Sequence, residues 1–194
     1  MTHTTYADVF RPSIRKNARV YDIVLIVGAT IFIALCAQIA IPVPFSPVPI
    51  TGQTLAVLLT GILLGRRRGS AAMLVYCTEG VLGLPVFAGG SFGIQHLIGP
   101  TGGYLLGFIP AAYFCGYLAE QGWDRSFVPT LLTMLAGKLI IYTCGLLWLG
   151  QWVEFNQILI MGLYPFLPGM AIKIILATVM LPLGWKFLGL RNRE

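Results

Sequence analysis

Six apolar runs separated by short loops occupy nearly all of this chain, and that pattern limits its fold more than any other feature. They span roughly residues 22–41, 52–64, 70–84, 104–119, 127–148 and 167–190. A bilayer core of about 30 Å takes roughly 20 apolar residues of helix to cross. Of the 194 residues 57% are hydrophobic and 10% charged, whereas a soluble domain carries about 25% charged residues. A chain this poor in charge cannot clothe a water-facing surface, so lipid must be its solvent. The length then accommodates a single integral membrane domain over 1–194, with a polar segment over 1–20 and an all-α bundle over about 21–190. The second and third runs are shorter than a comfortable span. Because the triplet Arg66, Arg67 and Arg68 between them needs water or headgroups, six spans fit better than the alternative of five.

The basic residues test that count independently. Arg11, Arg15, Lys16 and Arg19 precede the first run, and the triplet separates the second from the third. Arg125 lies between the fourth and fifth, while Lys186, Arg191 and Arg193 close the chain. Eleven of the thirteen Lys and Arg residues therefore fall in alternate loops, and the three remaining loops hold none. Cytoplasmic loops collect positive charge, which predicts an even number of helices with both termini inside, in the cell membrane. The net charge of +6 thus records topology, and nucleic acid is excluded as a partner because no basic folded face exists.

Two of the charge-free loops, IPVPFSPVPITGQ and GLPVFAGGSFGIQHLIGPTGGY, hold most of the unusual chemistry. Proline and glycine at this density cannot continue a helix. Non-helical backbone near a membrane persists only where protein covers it or it lines a cavity. One such loop would pass as a connector. Two on one face, flanked by intramembrane charges, read as a lid over an outward pocket, with Phe45, Phe87 and Phe92 buried in it. Gln53, Thr51, Ser91, Gln95, Thr101 and Tyr104 near that face suit a neutral, planar, hydrogen-bonding ligand. His96 reads as incidental.

Glu79, Lys138 and Lys173 lie inside apolar runs. Each costs about 2.5–3.5 kcal/mol at a helix centre, so each needs an interior partner. The simplest arrangement pairs Glu79 with Lys138 and leaves Lys173 as a cation for an anionic ligand. Cys36, Cys77, Cys115 and Cys144 all sit in apolar runs without CxxC spacing and read as small buried hydrophobes rather than metal ligands or a disulfide framework. No secretory signal is recognisable. GPTGGY is not followed by the GK[ST] of a phosphate loop, and no HExxH occurs, so nothing here hydrolyses nucleotide or binds a catalytic metal. A membrane-embedded enzyme is disfavoured because no clustered carboxylates, His pair or nucleophile–base set appears. Small residues at Gly28, Ala29, Thr30, Ala34 and Ala37 would let another helix approach the first closely.

Four ordered motifs, PVPFSPVPITGQTLAVLLTGILLG, GLPVFAGG, GPTGGYLLGF and PFLPGMAIK, resemble the BioY family, the biotin-specific substrate-capture (S) components of energy-coupling factor (ECF) transporters. The similarity runs over nearly the whole chain. It implies an S-component fold of six helices, biotin bound from the outer face without any cofactor, and partnership with a membrane coupling subunit and two cytoplasmic ATPases, although some BioY proteins act without dedicated partners. Carried over by position, the biotin site would include Gln53, Gly89, Gly90, Ser91, Gly103, Tyr104 and Lys173, beneath the loops holding Phe45 and Phe87. Two positions depart from the family pattern. Met170 stands where an acidic residue often follows PG, and Leu105 where a basic residue can follow GGY. The first frees Lys173 from an ion pair. The second removes one candidate cation. The AxxxA stripe by which capture subunits often dock is represented only by Thr30 and Ala34. An S component for thiamine or riboflavin is the nearest alternative.

Overall fold

The structure, a computed structural model, describes residues 4–189. A short helix α1 (Tyr6–Val9) precedes the long α2 (Arg15–Gln38). The proline-rich stretch then ends the helix at Gln38, three residues earlier than the apolar run, and folds into an antiparallel pair, β1 (Ala40–Ile41) with β2 (Ile50–Thr51). Next come α3 (Gln53–Val81), the short α4 (Gln95–Ile98), α5 (Gly102–Ala119), α6 (Phe127–Leu149), the short α7 (Ile158–Gly162) and α8 (Leu167–Phe187). Among the described residues four stretches are long and apolar enough to cross a membrane, namely Arg15–Gln38, Gly102–Ala119, Phe127–Leu149 and Phe155–Phe187.

α3 is not one rod. Gly65 has φ +82°, outside the helical region, a conformation that glycine adopts without steric cost. The chain reverses there. A straight helix would hold Gln53 and Tyr76 about 34 Å apart at 1.5 Å per residue, yet their side chains hydrogen-bond at 2.5 Å. The halves 53–64 and 66–81 therefore lie antiparallel, so closely that a Cβ on Gly69 would come within 2.8 Å of Gly61 Cα. The arginine triplet, expected in a loop, instead forms the first turn of the second half. Glu120 makes that possible. Its carboxylate accepts the Arg66 backbone N–H at 2.9 Å and the Arg66 guanidinium at 3.1 Å, satisfying a helix-start donor and complementing the positive end of the helix.

α5 is the central helix, with 61% of its apolar window buried against 22% for α2. It packs on α3 and α6, while α2 flanks α3 and α8 flanks α6. Glycines allow the approach: a Cβ on Gly61 would meet the backbone of Ala112 at 2.4–3.0 Å, and one on Gly116 would meet Arg66 and Gly65 backbone at 2.4–2.7 Å.

The loops carrying positive charge gather at one end. Arg68 bridges Asp8 at 2.9 Å and Asp22 at 2.8 Å, and Arg11 reaches Asp22 at 2.7 Å. Beside them Tyr6 stacks on Trp185 at 4.2 Å, the Trp185 indole donates to Asp124 at 2.7 Å, and the Arg125 guanidinium lies 4.8 Å from the Trp185 ring. The loops without Lys or Arg meet at the opposite end, where Ser46 donates to the Met161 carbonyl at 2.7 Å.

Two outcomes are expected of this packing. Gly61→Val drives a side chain into immovable backbone, and thermal unfolding in detergent should show a loss of about 1–3 kcal/mol. At the charged end, burial pushes the Asp124 carboxyl up to about 6. A carboxyl raised on folding favours the folded state in full below its unfolded value, and that contribution fades as pH climbs through the folded one. The melting temperature of the wild type should therefore fall between about pH 5 and about pH 7 more than that of Asp124→Asn.

Candidate functional site

The end opposite the arginines holds a cavity of about 170 Å³. Its roof is the first irregular loop, through Pro47, Val48 and Pro49, and the second, through Phe87, Ala88, Ser91 and His96. Tyr104, Leu105 and Phe108 of α5, Tyr142 of α6, Phe166 and Lys173 form the walls, with Thr51, Gln53 and Thr54 at the start of α3.

A hydrogen-bond relay holds the roof down. Thr51 donates to the Gln53 side-chain carbonyl at 3.1 Å, the Gln53 amide donates to the Tyr76 hydroxyl at 2.5 Å, and Tyr76 donates to the Val86 carbonyl at 2.7 Å. Both irregular loops are thereby fixed to the two halves of α3. Phe87, 2% exposed, packs edge-on against Tyr76 at 5.6 Å and against His96 at 5.8 Å. Its seat exists because residue 80 is glycine; a Cβ there would fall 2.1–2.5 Å from the Phe87 ring. On the far wall Tyr104 donates to the Gly162 carbonyl at 2.8 Å, and its ring, Tyr142 and Phe166 follow one another at 6.3 Å centroid spacings.

The electrostatics of this chamber are one-sided. Lys173 donates to the Thr51 carbonyl at 2.6 Å, which leaves donors of its ammonium for a ligand. No Asp or Glu belongs to the cavity wall among the described residues. An apolar, aromatic chamber with a few hydroxyls, an amide and a cation suits a flat polar head with an anionic tail.

The BioY family model matches residues 11–190 of this chain. The chain belongs to the BioY family. It is 41% identical over 150 residues to a probable biotin transporter BioY of Pyrococcus horikoshii, covering 77% of this chain and 88% of that one. It is 40% identical over 156 residues to the biotin transporter BioY of Thermotoga maritima, covering 79% and 91%. Among solved structures it is similar to the S component for biotin of an ECF-type ABC transporter, with a TM-score of 0.77 at 28% identity over 90% of this chain and 95% of that one. The fold is thus that of an ECF S component, and the protein is a multi-pass membrane protein of a transporter family.

Within this BioY chain the sequence-predicted residues separate into two groups. Gln53, Phe87, Ser91, Tyr104 and Lys173 all line the cavity. Gly89, Gly90 and Gly103 do not. Gly89 and Gly90 take positive φ, +66° and +74°, and shape the loop, while Gly103 lets α6 approach, since a Cβ there would lie 2.2 Å from Trp148 Cβ. Phe45 is 56% exposed and lies outside the cavity wall; the prolines on either side of it turn the loop so that Val48 enters instead. Thr54, Phe108, Tyr142, Phe166 and His96 were not singled out for the site. For Tyr142 and Phe166 an aromatic within an apolar run gives no sign of whether it faces lipid or cavity.

The ion pair expected between Glu79 and Lys138 is not formed. Glu79 accepts from Thr30 at 3.1 Å, toward α2, whereas Lys138 donates to Thr54 at 2.5 Å, toward the cavity. Thr30 is consequently buried, and with Ala34 it lines a shallow groove between α2 and α3 rather than a raised docking ridge. The four cysteines are free and at least half-buried.

Because a threonine hydroxyl is its partner, Glu79→Gln should cost no more than about 1 kcal/mol in thermal unfolding, the difference between a charged and a neutral hydrogen bond. A broken buried ion pair would cost about 3–5 kcal/mol.

Proposed function

We propose that this chain is the biotin-capturing S component of an ECF transporter, with six helices across the membrane and both termini in the cytoplasm. Biotin enters from the outer face beneath the two irregular loops and needs no cofactor to bind. The chain is a transport subunit rather than an enzyme, and a membrane coupling subunit with two cytoplasmic ATPases moves the cargo inward.

The observation that carries this reading is the chamber at the end of the bundle away from the arginines, with the Lys173 ammonium on its wall and no acidic side chain there among the described residues. Segregation of the basic loops to the other end supports the orientation, because positive loops stay in the cytoplasm. The break at Gly65 supports six crossings, since it turns one helical element into two short antiparallel ones of about 12 and 16 residues, shielded from lipid by α2 and α5. Biotin's ureido head fits the threonine and serine hydroxyls, its apolar rings the aromatic wall, and its carboxylate the lysine. Gly89, Gly90 and Gly103 act in this scheme by shaping the chamber rather than by touching ligand. The groove holding Thr30 and Ala34, with exposed Ile31 and Leu35 beside it, is the docking surface for the coupling subunit.

Titration of labelled biotin into the purified chain in detergent should show saturable binding without ATP, displaced by unlabelled biotin but not by thiamine or riboflavin. Lys173→Ala should weaken binding about tenfold or more, equivalent to about 1.4 kcal/mol. Displacement by another vitamin would transfer the site to that ligand, and undiminished affinity in the variant would remove Lys173 from it.

A further inference from the structure

Lys138 has no assigned task once Glu79 is known to face elsewhere. It is 2% exposed, and its one described partner is the Thr54 hydroxyl at 2.5 Å. Thr54 belongs to the cavity wall, as does Lys173, while Lys138 itself is not on the wall and meets it through Thr54. Lys173 in turn is held by the carbonyl of Thr51 at 2.6 Å, three residues before Thr54. Both lysines are thus tied to the short segment 51–54 that leads into α3. The described salt bridges include neither lysine, and no acidic side chain lines the chamber among the described residues.

An ammonium offers three donors, and each lysine here has one engaged. Two like charges held on one short segment of an apolar bundle are unfavourable unless an anion joins them, since a buried charge needs a partner as well as hydrogen bonds. A structural role would be met equally by a methionine, which would fill the same space without that cost. The wall as built awaits negative charge.

We propose that Lys138 is a second anion-binding residue of the cavity, so that Lys138 and Lys173 together hold the ligand's carboxylate beside the Thr54 hydroxyl. The inference rests on the biotin reading and adds to it which end of the ligand lies toward α6. A carboxylate has lone pairs enough to accept from both ammonium groups. The Thr54 hydroxyl can accept from Lys138 while donating to the carboxylate, completing a closed set of charge-assisted hydrogen bonds. The consequence is selectivity for the free acid. An amide or ester tail fits the same space but leaves two cations unneutralised.

The test compares biotin with biotinamide, which has the same rings and an uncharged tail, on the purified chain by calorimetric titration. The wild type should prefer biotin by about tenfold or more, and in Lys138→Met that ratio should fall about tenfold or to unity. A wild-type ratio near one, or a ratio in Lys138→Met equal to that of the wild type, overturns the proposal. If Lys138→Met does not give a monodisperse folded protein, Lys173→Met decides. With one cation left it should still prefer the acid by about threefold or more, and equal affinity for the two compounds overturns the assignment. Binding of biotin with an unchanged ratio in Lys138→Met defeats this inference alone. Failure of the wild type to bind either compound defeats the biotin reading and this inference with it.

Discussion

Irregular backbone at the edge of a bilayer has amide and carbonyl groups that lipid cannot satisfy, and the functional end of this protein is built from such backbone. The relay from Thr51 through Gln53 and Tyr76 to Val86 answers that constraint. It spans both irregular loops and both halves of α3, so roof and bundle form one unit. Gln53 and Tyr76 each serve two neighbours in it, and Gln53 is 5% exposed although it borders the cavity. The relay in turn depends on the reversal at Gly65, since without an antiparallel α3 Tyr76 would sit far from Gln53. A glycine at the charged end thus decides whether the chamber at the other end can close.

The two ends divide the work. At one, Arg68, Asp8, Asp22, Arg11, Arg66 and Glu120 form interleaved ion pairs near water, where each pair is individually modest but together they tie the N-terminal segment to the turn of α3 and the end of α5. At the other, Lys173 lies on the wall of an apolar space that no acidic side chain lines among the described residues, with Lys138 bonded to Thr54 of that wall. Stability is concentrated where no ligand binds. Electrostatic demand is concentrated where one does.

Much of this was legible in the sequence because hydropathy and charge position do not depend on packing. The basic loops at 11–19, 66–68 and 125 all gather at one end, and the proline- and glycine-rich loops roof a cavity at the other, as their compositions require. What failed was rotational phase. Lys138 is buried, whereas Glu79 lines the groove beside α2; an apolar run does not reveal which neighbour its charged residue meets, and Thr30 and Thr54 take the places expected for the opposite ion. The same limit separates Phe45 from Phe87. Both are aromatics in glycine–proline loops, and only Phe87 has a seat, created by Gly80 in the last turn of α3. The arginine triplet was placed outside a helix because the capping role of Glu120, 54 residues away, leaves no local signature.

The central claim, that the irregular loops roof a ligand chamber open toward the outside, is tested most directly by thiol labelling in whole cells. In a background with the four cysteines replaced by serine or alanine, Phe45→Cys and Ala88→Cys are treated with a membrane-impermeant maleimide, with and without biotin. The exposed position 45 should label from outside at the same rate in both conditions, and position 88, on the cavity wall, should label about tenfold more slowly with biotin present. Labelling confined to inside-out vesicles, or a rate at position 88 indifferent to biotin, would contradict the account.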